Sequence, residues 1–383
     1  MVSDFEGWGR RFSTSRGKKT VQDQLTSNDP IHHFLPRMKL PLTIDAIAKA
    51  SRVSRATVDR VINERSKVHP RTREHVLKTI EILQGEAGTA ESLLTGRGRP
   101  ADLQRVGLII QASPPFTQAL LEEVERCTSN KSLLRLRCTI SGHVSHSDQD
   151  TLRLLRELEA AVDALAVICK NTPANLELLR RIGQNGKPVV AVTTDLDAVA
   201  RVGFVGMDNR RAGQIAAFIA GRTLERVEAA EVAVVVGYYS YRGHEDREIG
   251  FRTTLREYFP HVELVEVIIG EDSSEAAYEA TRELLQRRRT IAGIYNVAGG
   301  NQGVAQALLE AQPPKRPLYI AHEVNAETEH LIRQHQIDYL LAQDLDQLVL
   351  QIGEVLLEVK GAGRLTNVTK LLPIRVFTPF HFP

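Results

Sequence analysis

The stretch LTIDAIAKASRVSRATVDRVINERSKVHPRTREHVLKTIEIL runs from Leu42 to Leu83. Within Thr43 to Ala50, Ile44, Ile47 and Ala48 share one helical face. Ser51-Arg52-Val53 breaks the run. The Ser54 hydroxyl then stands where it can cap a second helix, accepting from the free N–H groups of the following turn. That helix carries Ala56, Thr57 and Val58, ends near Ile62, and puts Arg55, Arg60 and Asn63 on its outer side. Pro70 opens a third helix, where its missing N–H does no harm. Val76, Ile80 and Leu83 give that helix one buried stripe. Two short helices joined by a tight turn under a covering third make a helix-turn-helix unit, whose second helix enters the major groove of DNA. The same pattern also suits a plain three-helix bundle with solvated charges.

Outside this stretch the chain divides by composition. Its 383 residues exceed one compact core and predict two or three domains. No apolar run is long enough to span a bilayer. Net charge is +2, but residues 1–100 hold 18 Lys/Arg against 11 Asp/Glu, which leaves the remainder at −5. A basic head on a mildly acidic body suits phosphate binding by the head. Cys127, Cys138 and Cys169 are too few and scattered for a disulfide framework and point to a reducing cytoplasm. Residues 1–37 carry no apolar core and no cleavage signal, and are read as a disordered arm or a mis-called start before Met38. His32-His33 has no further ligands at a useful spacing, so no metal is expected. Residues 38–84 are the headpiece. Residues 85–104, with Gly85, Gly88, Gly96, Gly98 and Pro100, are a linker in which Ala90 to Thr95 can form one or two helical turns.

From Arg105 to the end the chain alternates strands and helices. VGLII (106–110), LLRLRCTI (133–140), ALAVIC (164–169) and PVVAVT (188–193) form one series. RVGFVG (201–206), VAVVVGY (232–238), VELVEVII (262–269), AGIYNV (292–297), LYIAHE (318–323) and YLLAQD (339–344) form another. Near-continuous apolar strands alternating with helices mean parallel sheets covered on both faces. The fold class is therefore α/β: an all-α helix-turn-helix headpiece followed by two doubly wound parallel-sheet lobes. The lobes are placed at about 105–199 with 325–344, and about 200–324 with 345–383. Ligands of such sheets sit outside the carboxyl ends of the strands, here in the interlobe cleft.

VSRATVDRVINERSKVHPRTREHVLKTI (53–80) closely resembles the headpiece of the lactose/galactose-repressor family of bacterial transcription regulators, and the resemblance runs from Thr43 to Arg97. It implies that Arg55 and Ala56 choose bases and that Arg60 makes a further base contact. Thr43, Ser54, Thr57, Asn63, Lys67 and Thr72 are then expected to hold phosphates, which set register without selecting sequence. Leu94 falls at the family's leucine wedge in a hinge helix that folds on operator DNA; a flexible tether is the alternative. Two positions depart from the family. Arg52 replaces a turn glycine. Asp59 replaces a serine and is expected to orient Arg55 from four residues away on the same helix.

VGFVGMDNRRAGQIAAFIAG (202–221), REIGFR (247–252) and IYNVAGGNQGVAQAL (294–308) resemble the type I periplasmic sugar-binding proteins of the ribose-binding-like branch. Carried over by position, Phe116, Asn171, Asp195, Arg242, His244, Glu245, Asn296, Asn301, Glu323 and Gln343 are expected to line the pocket. The resemblance also implies an arginine six residues before Phe251, where Glu245 stands; Arg242 or His244 then takes its part, or the ligand is more basic than a simple sugar. Amides and carboxylates with one aromatic face suit a polyhydroxylated ligand. There is no G-x-S-x-G elbow, no metal-ligand cluster and no nucleotide loop, so neither enzyme activity nor a cofactor is expected. The reading is a cytoplasmic, homodimeric, sequence-specific regulator of double-stranded operator DNA, with no membrane partner, controlled by a sugar or polyol effector. The rivals are a sugar-binding transport component and a ligand-independent architectural DNA-binding protein.

Overall fold

The computed structural model describes Ala48, Ser51, residues 53–62 and scattered positions between 68 and 79, then 104–129, 138–361 and 367–382. Residues 1–37, Thr43, Arg52, Asn63, Lys67 and the hinge with Leu94 lie outside the described residues. The chain divides into two compact units at Arg99 and Pro100.

In the first unit, α1 (Arg55–Ile62) is capped as its sequence demands. The Thr57 backbone N–H donates to Ser54 Oγ at 3.2 Å, and the two hydroxyls lie 2.8 Å apart. Val58 and Val61 are buried with Ala48 and Val76, and Val53 and Val68 pack at the edge of this small core. Arg55, Ala56 and Arg60 are exposed. The amphipathic split of α1 thus gives one apolar face to the core and a basic face to solvent.

The second unit begins with β1 (Gln104–Ile110), α2 (Pro114–Ser129), β2 (Cys138–Val144) and α3 (Asp148–Ala161). β3 (Ala164–Ile168), α4 (Pro173–Gln184), β4 (Val189–Val192) and β5 (Gly203–Met207) follow. The next elements are α5 (Asn209–Thr223), β6 (Ala230–Val236), α6 (Arg242–Tyr258), β7 (Val262–Ile269) and α7 (Ser274–Arg287). Then come β8 (Gly293–Asn296), α8 (Asn301–Ala311), β9 (Leu318–His322), α9 (Ala326–Arg333) and β10 (Tyr339–Ala342). The chain closes with α10 (Leu345–Gly361), β11 (Val368–Leu372) and β12 (Arg375–Phe377).

Two six-stranded sheets result, in the orders β11-β5-β4-β3-β1-β2 and β12-β10-β9-β8-β6-β7. All pairings are parallel except β12 against β10. The period of two along each strand sorts its apolar residues between two cores. Leu108 and Ile110 join a cluster with residues of α2 and α10, while Ile109 joins the opposite cluster with residues of α3 and α4. In the second sheet Val232, Val234 and Val236 face one core, and Ala233 and Val235 the other. Full burial of each valine, leucine or isoleucine contributes about 1.5–3 kcal/mol, so double-sided strands stabilise strongly for their length.

The expected lobe limits are corrected. Residues 203–207 pair with β4 in the first sheet, and residues 339–342 pair with β9 in the second. Residues 345–361 belong to the first lobe, because Leu348, Val349, Ile352, Val355 and Leu356 of α10 are buried in its core. A strand joins the sheet that satisfies its hydrogen bonds, and a helix joins the lobe that buries its apolar face; chain order states neither. Of the strand expected over 133–140, residues 133–137 lie outside the described residues, and Cys138 to Ile140 open β2, Cys138–Val144, paired along β1. The chain therefore crosses between lobes three times: after β5, after β10, and between β11 and β12.

Candidate functional site

Both sheets end, at their carboxyl edges, on one cleft lined by residues of both lobes, the usual place for a ligand of such sheets. Phe116, His244, Asn301 and Glu323 line it as expected. Phe116 is buried in the first turns of α2 and supplies an aromatic ring from the first lobe. Asn301 Oδ1 accepts from Asn296 Nδ2 and from the Tyr319 hydroxyl, both at 2.8 Å, so its own side-chain N–H groups remain for the cavity.

The arginine of the site is Arg247, four residues before Phe251, and not a residue at the Glu245 position. Its Nε donates to Asn209 Oδ1 at 2.8 Å, one terminal nitrogen to the Val297 carbonyl at 2.8 Å, and the other to Glu323 Oε1 at 3.2 Å. The side chains of Arg247 and Glu323 are 7% and 15% exposed, which makes this a buried pair. Helical geometry explains the correction. His244, Arg247 and Phe251 follow one another at three and four residues and face inward. Arg242, Glu245, Asp246 and Ile249 share another face of α6 and line a separate surface pocket with Arg210 and Asn171. The inward face was readable from the buried Phe251 alone.

Four further expected residues serve the fold at this point. Asn171 ties the lobes: its N–H donates to the Ser240 carbonyl at 2.6 Å and its Oδ1 accepts from the Asp197 N–H. Asp195 is bound by Arg201, whose terminal nitrogen lies 2.7 Å from Oδ2. Asn296 spends its amide on the Gly299 carbonyl and Asn301, and its oxygen on the Ala298 N–H. Gln343 accepts from the Met207 N–H at 2.9 Å, joining the first two interlobe crossings. Each was expected as a ligand contact because it is polar at a strand end, and each is taken up by backbone groups or an ion pair.

Sequence reasoning missed Asp272, Tyr241, Thr194 and His322, all on the cavity wall. Asp272 follows β7 and accepts the Gly299 N–H at 2.6 Å. Tyr241 is buried and donates to the Gln111 carbonyl at 2.9 Å, across the cleft. Thr194 Oγ1 accepts the Gly243 N–H at 3.0 Å, also across it. Burial governs the ionisable groups. It pushes the Glu323 carboxyl up against the opposing pull of Arg247. It pushes His244 down to about 4 and His322 well below its ordinary value, helped there by Arg247 and His244. Both imidazoles are neutral at pH 7. The wall thus sets two carboxyl groups against one guanidinium, with amide, hydroxyl and imidazole groups between them. That is a set for a ligand bearing many hydroxyls and no strong negative charge.

On the headpiece, Ser54, Arg55, Ala56 and Arg60 are exposed, and Thr57, Asp59 and Thr72 are half-buried. Among the described residues no cluster of His, Cys, Asp or Glu can hold a metal ion, and no helix is long and apolar enough to cross a membrane.

Comparison with known proteins identifies both units. Residues 43–84 match the family described as bacterial regulatory proteins, lacI family, and residues 147–362 match the periplasmic binding protein domain. The HTH-type transcriptional repressor PurR of Serratia proteamaculans is 26% identical over 66% of this chain and 71% of its own length. PurR of Vibrio campbellii is 24% identical over 56% of this chain and 61% of its own. The HTH-type transcriptional regulator DegA of Bacillus subtilis is 23% identical over 64% and 70%. Among solved structures, GanP, a glucose-galactose binding protein from Geobacillus stearothermophilus, superposes with a TM-score of 0.64 at 19% identity, over 74% of this chain and 99% of its own. A solute-binding protein from Burkholderia graminis in complex with D-arabinose gives 0.63 at 16%, over 73% and 96%.

Proposed function

The chain belongs to the lacI family of bacterial regulatory proteins, a helix-turn-helix headpiece followed by a periplasmic binding protein domain, and from that premise we propose that its effector is a neutral sugar or polyol. It is a DNA-binding transcriptional repressor under small-molecule control. The observation that carries the effector class is the wall just described, in which Arg247, Glu323, Asp272 and Asn301 face the Phe116 ring across one cleft. Each hydroxyl of a sugar both donates and accepts, which suits such a mixture, and an apolar ring face suits the C–H side of a pyranose. A phosphorylated ligand would meet two carboxyl groups with one compensating cation.

Arg55, Ala56 and Arg60 read base edges in the major groove, arginine to guanine being the commonest specific contact. Ser54, Thr57 and Thr72 fix the register on phosphates. The protein acts in the cytoplasm as a homodimer, because two headpieces on a pseudo-palindrome need two-fold symmetry. Ligand and operator affinities are then linked reciprocally, by about 1–3 kcal/mol.

A thermal-shift series over D-galactose, D-arabinose, D-allose, their reduced polyols and their phosphates tests the effector class, since a ligand that binds the folded state raises its midpoint. The expected result is a rise with one or more neutral members and none with phosphates. Fluorescence anisotropy on operator DNA, with and without the binder, tests the coupling. Arg55→Ala is expected to lose operator preference over random duplex, and Asp59→Ser to relax it.

A further inference from the structure

We propose that His322 is a specificity-determining residue of the effector cavity, fixed as the Nδ1–H tautomer and donating one hydrogen bond to a ligand hydroxyl oxygen. The inference rests on the sugar reading above and adds to it which atom is read. His322 ends β9 beside Glu323, is 1% exposed, and lines the cavity. Its Nε2 lies 2.7 Å from the Tyr295 hydroxyl, while its Nδ1 has no hydrogen-bond partner. An unpaired buried polar atom is destabilising, so one retained in the lining of a binding cavity points to a partner that arrives from outside.

The direction of that missing bond follows from Tyr295. Its phenol is fully buried against Phe251, with ring centroids 4.7 Å apart, and burial pushes its ionisation up, so it keeps its proton. Nε2 of His322 is the sole acceptor that proton meets among the described residues. The phenol therefore donates and Nε2 accepts. Because the buried ring is neutral, its single proton sits on Nδ1. His322, a residue of the cavity lining next to Glu323, thus carries one unsatisfied and deeply buried N–H. A site built to bond a hydroxyl rejects the analogue that lacks it far more strongly than an apolar site can. His322 accordingly selects for an oxygen at one ring position.

Two measurements on the full chain test this. Long-range ¹H–¹⁵N correlation spectra of the ligand-free protein, with His322 assigned by its loss in His322→Asn, are expected to show a pyrrole-type Nδ1 and a pyridine-type Nε2. Tyr295→Phe is expected to release that preference. An Nε2–H tautomer in the native protein overturns the proposal. Calorimetric titrations with D-galactose, D-arabinose, D-allose and their monodeoxy analogues supply the second test. His322→Asn, whose amide N–H stands near the place of Nδ1, is expected to keep the affinity within about threefold, and His322→Phe to lose about tenfold or more. That loss should vanish for the one monodeoxy analogue lacking the accepting oxygen. An equal loss across all analogues, or none, overturns the proposal. A native protein that binds none of the three sugars counts against the sugar reading alone, and the tautomer then decides the role of His322.

Discussion

The first lobe gives the cavity Gln111, Ser113, Phe116, Thr193 and Thr194, whereas the second gives His244, Arg247, Asp272, His322 and Glu323. Every ionisable side chain facing the ligand except the Tyr241 phenol is on that second list, and Tyr241 too belongs to the second lobe. The second wall is also organised from within. Arg247 is held by Asn209, Val297 and Glu323, Asp272 by the Gly299 N–H, and Asn301 by Asn296 and Tyr319, none of them in the first lobe. The first wall offers a ring, two threonines and the partners for closure. Contacts that span the cleft include Tyr241 to Gln111, Gly243 to Thr194, Asn171 to Ser240, Asn209 Nδ2 to the Thr193 carbonyl at 2.9 Å, and the Lys170 ammonium 3.9 Å from the centre of the Tyr238 ring. A preorganised polar wall binds without paying for its own ordering, and a lid held by single bonds of about 0.5–1.5 kcal/mol each can still open. The ligand is therefore expected to dock on the second lobe and be covered by the first.

Removing the centre of the preorganised wall should have the largest effect. Arg247→Met leaves Glu323, Asn209 Oδ1 and the Val297 carbonyl without their donor in a buried site, and loss of one partner from a buried pair costs about 3–5 kcal/mol. Urea unfolding should register that loss, and sugar binding should disappear in calorimetry. A stability change under about 1 kcal/mol would show that the wall is not a unit. The next largest effect is of pH. The folded state holds His244 at about 4, below its ordinary 6.5, so it binds fewer protons than the unfolded chain. Its contribution is fully present above pH 6.5 and is lost as pH falls through 4. The urea midpoint should drop across that window in the native protein, and drop less in His244→Gln. Equal drops would place the titration elsewhere.

How far the sequence revealed this arrangement depended on whether a feature has a period. The strands are nearly all in the pattern, because burial on both faces leaves continuous apolar runs such as Ala164–Ile168. β11 and β12 are short, alternating and half-exposed, so TKLLPIRVF (369–377) reads as a single last strand where the structure has two, in different sheets. The period of α6 already separates Arg247 from Arg242 and Glu245, but a spacing of six residues before Phe251, taken from the resemblance, points to Glu245 on the outer face, whereas four residues before it gives the inward Arg247. Gln343 and Asn296 were not separable from ligand contacts in sequence, because a polar residue at a strand end looks the same whether a ligand or a backbone amide satisfies it. His322 shows the reverse: flanked by Ala321 and Glu323 at the end of an apolar strand, it reads as core, and the bond from Tyr295 that gives it a role comes from 27 residues away.

Phe116→Leu sharpens the comparison from the other side. Leucine keeps the site apolar but loses part of the ring volume, which costs on the order of 1 kcal/mol of stability, while the ring face itself is worth about 0.5–1.5 kcal/mol beyond the area it buries. Sugar affinity should fall by up to about tenfold, with the urea midpoint lowered only slightly. A midpoint that falls as far as in Arg247→Met would mean that the first wall is structural as well.

Tyr241→Phe should have the smallest effect and isolates closure. It deletes one hydroxyl whose bond to the Gln111 carbonyl exists only while the lobes are together, and it leaves Arg247, Glu323, Asp272 and Asn301 as they are. A neutral bond of this kind is worth about 0.5–1.5 kcal/mol, or roughly two- to tenfold in affinity. Because the ligand still meets an intact second wall, the association rate should hold and the loss should fall on dissociation. Stopped-flow kinetics with the binding sugar separates the two rates. A slower association with unchanged dissociation would mean that the lobes must close before the ligand is held, and the order of docking and covering drawn from the two walls would be reversed.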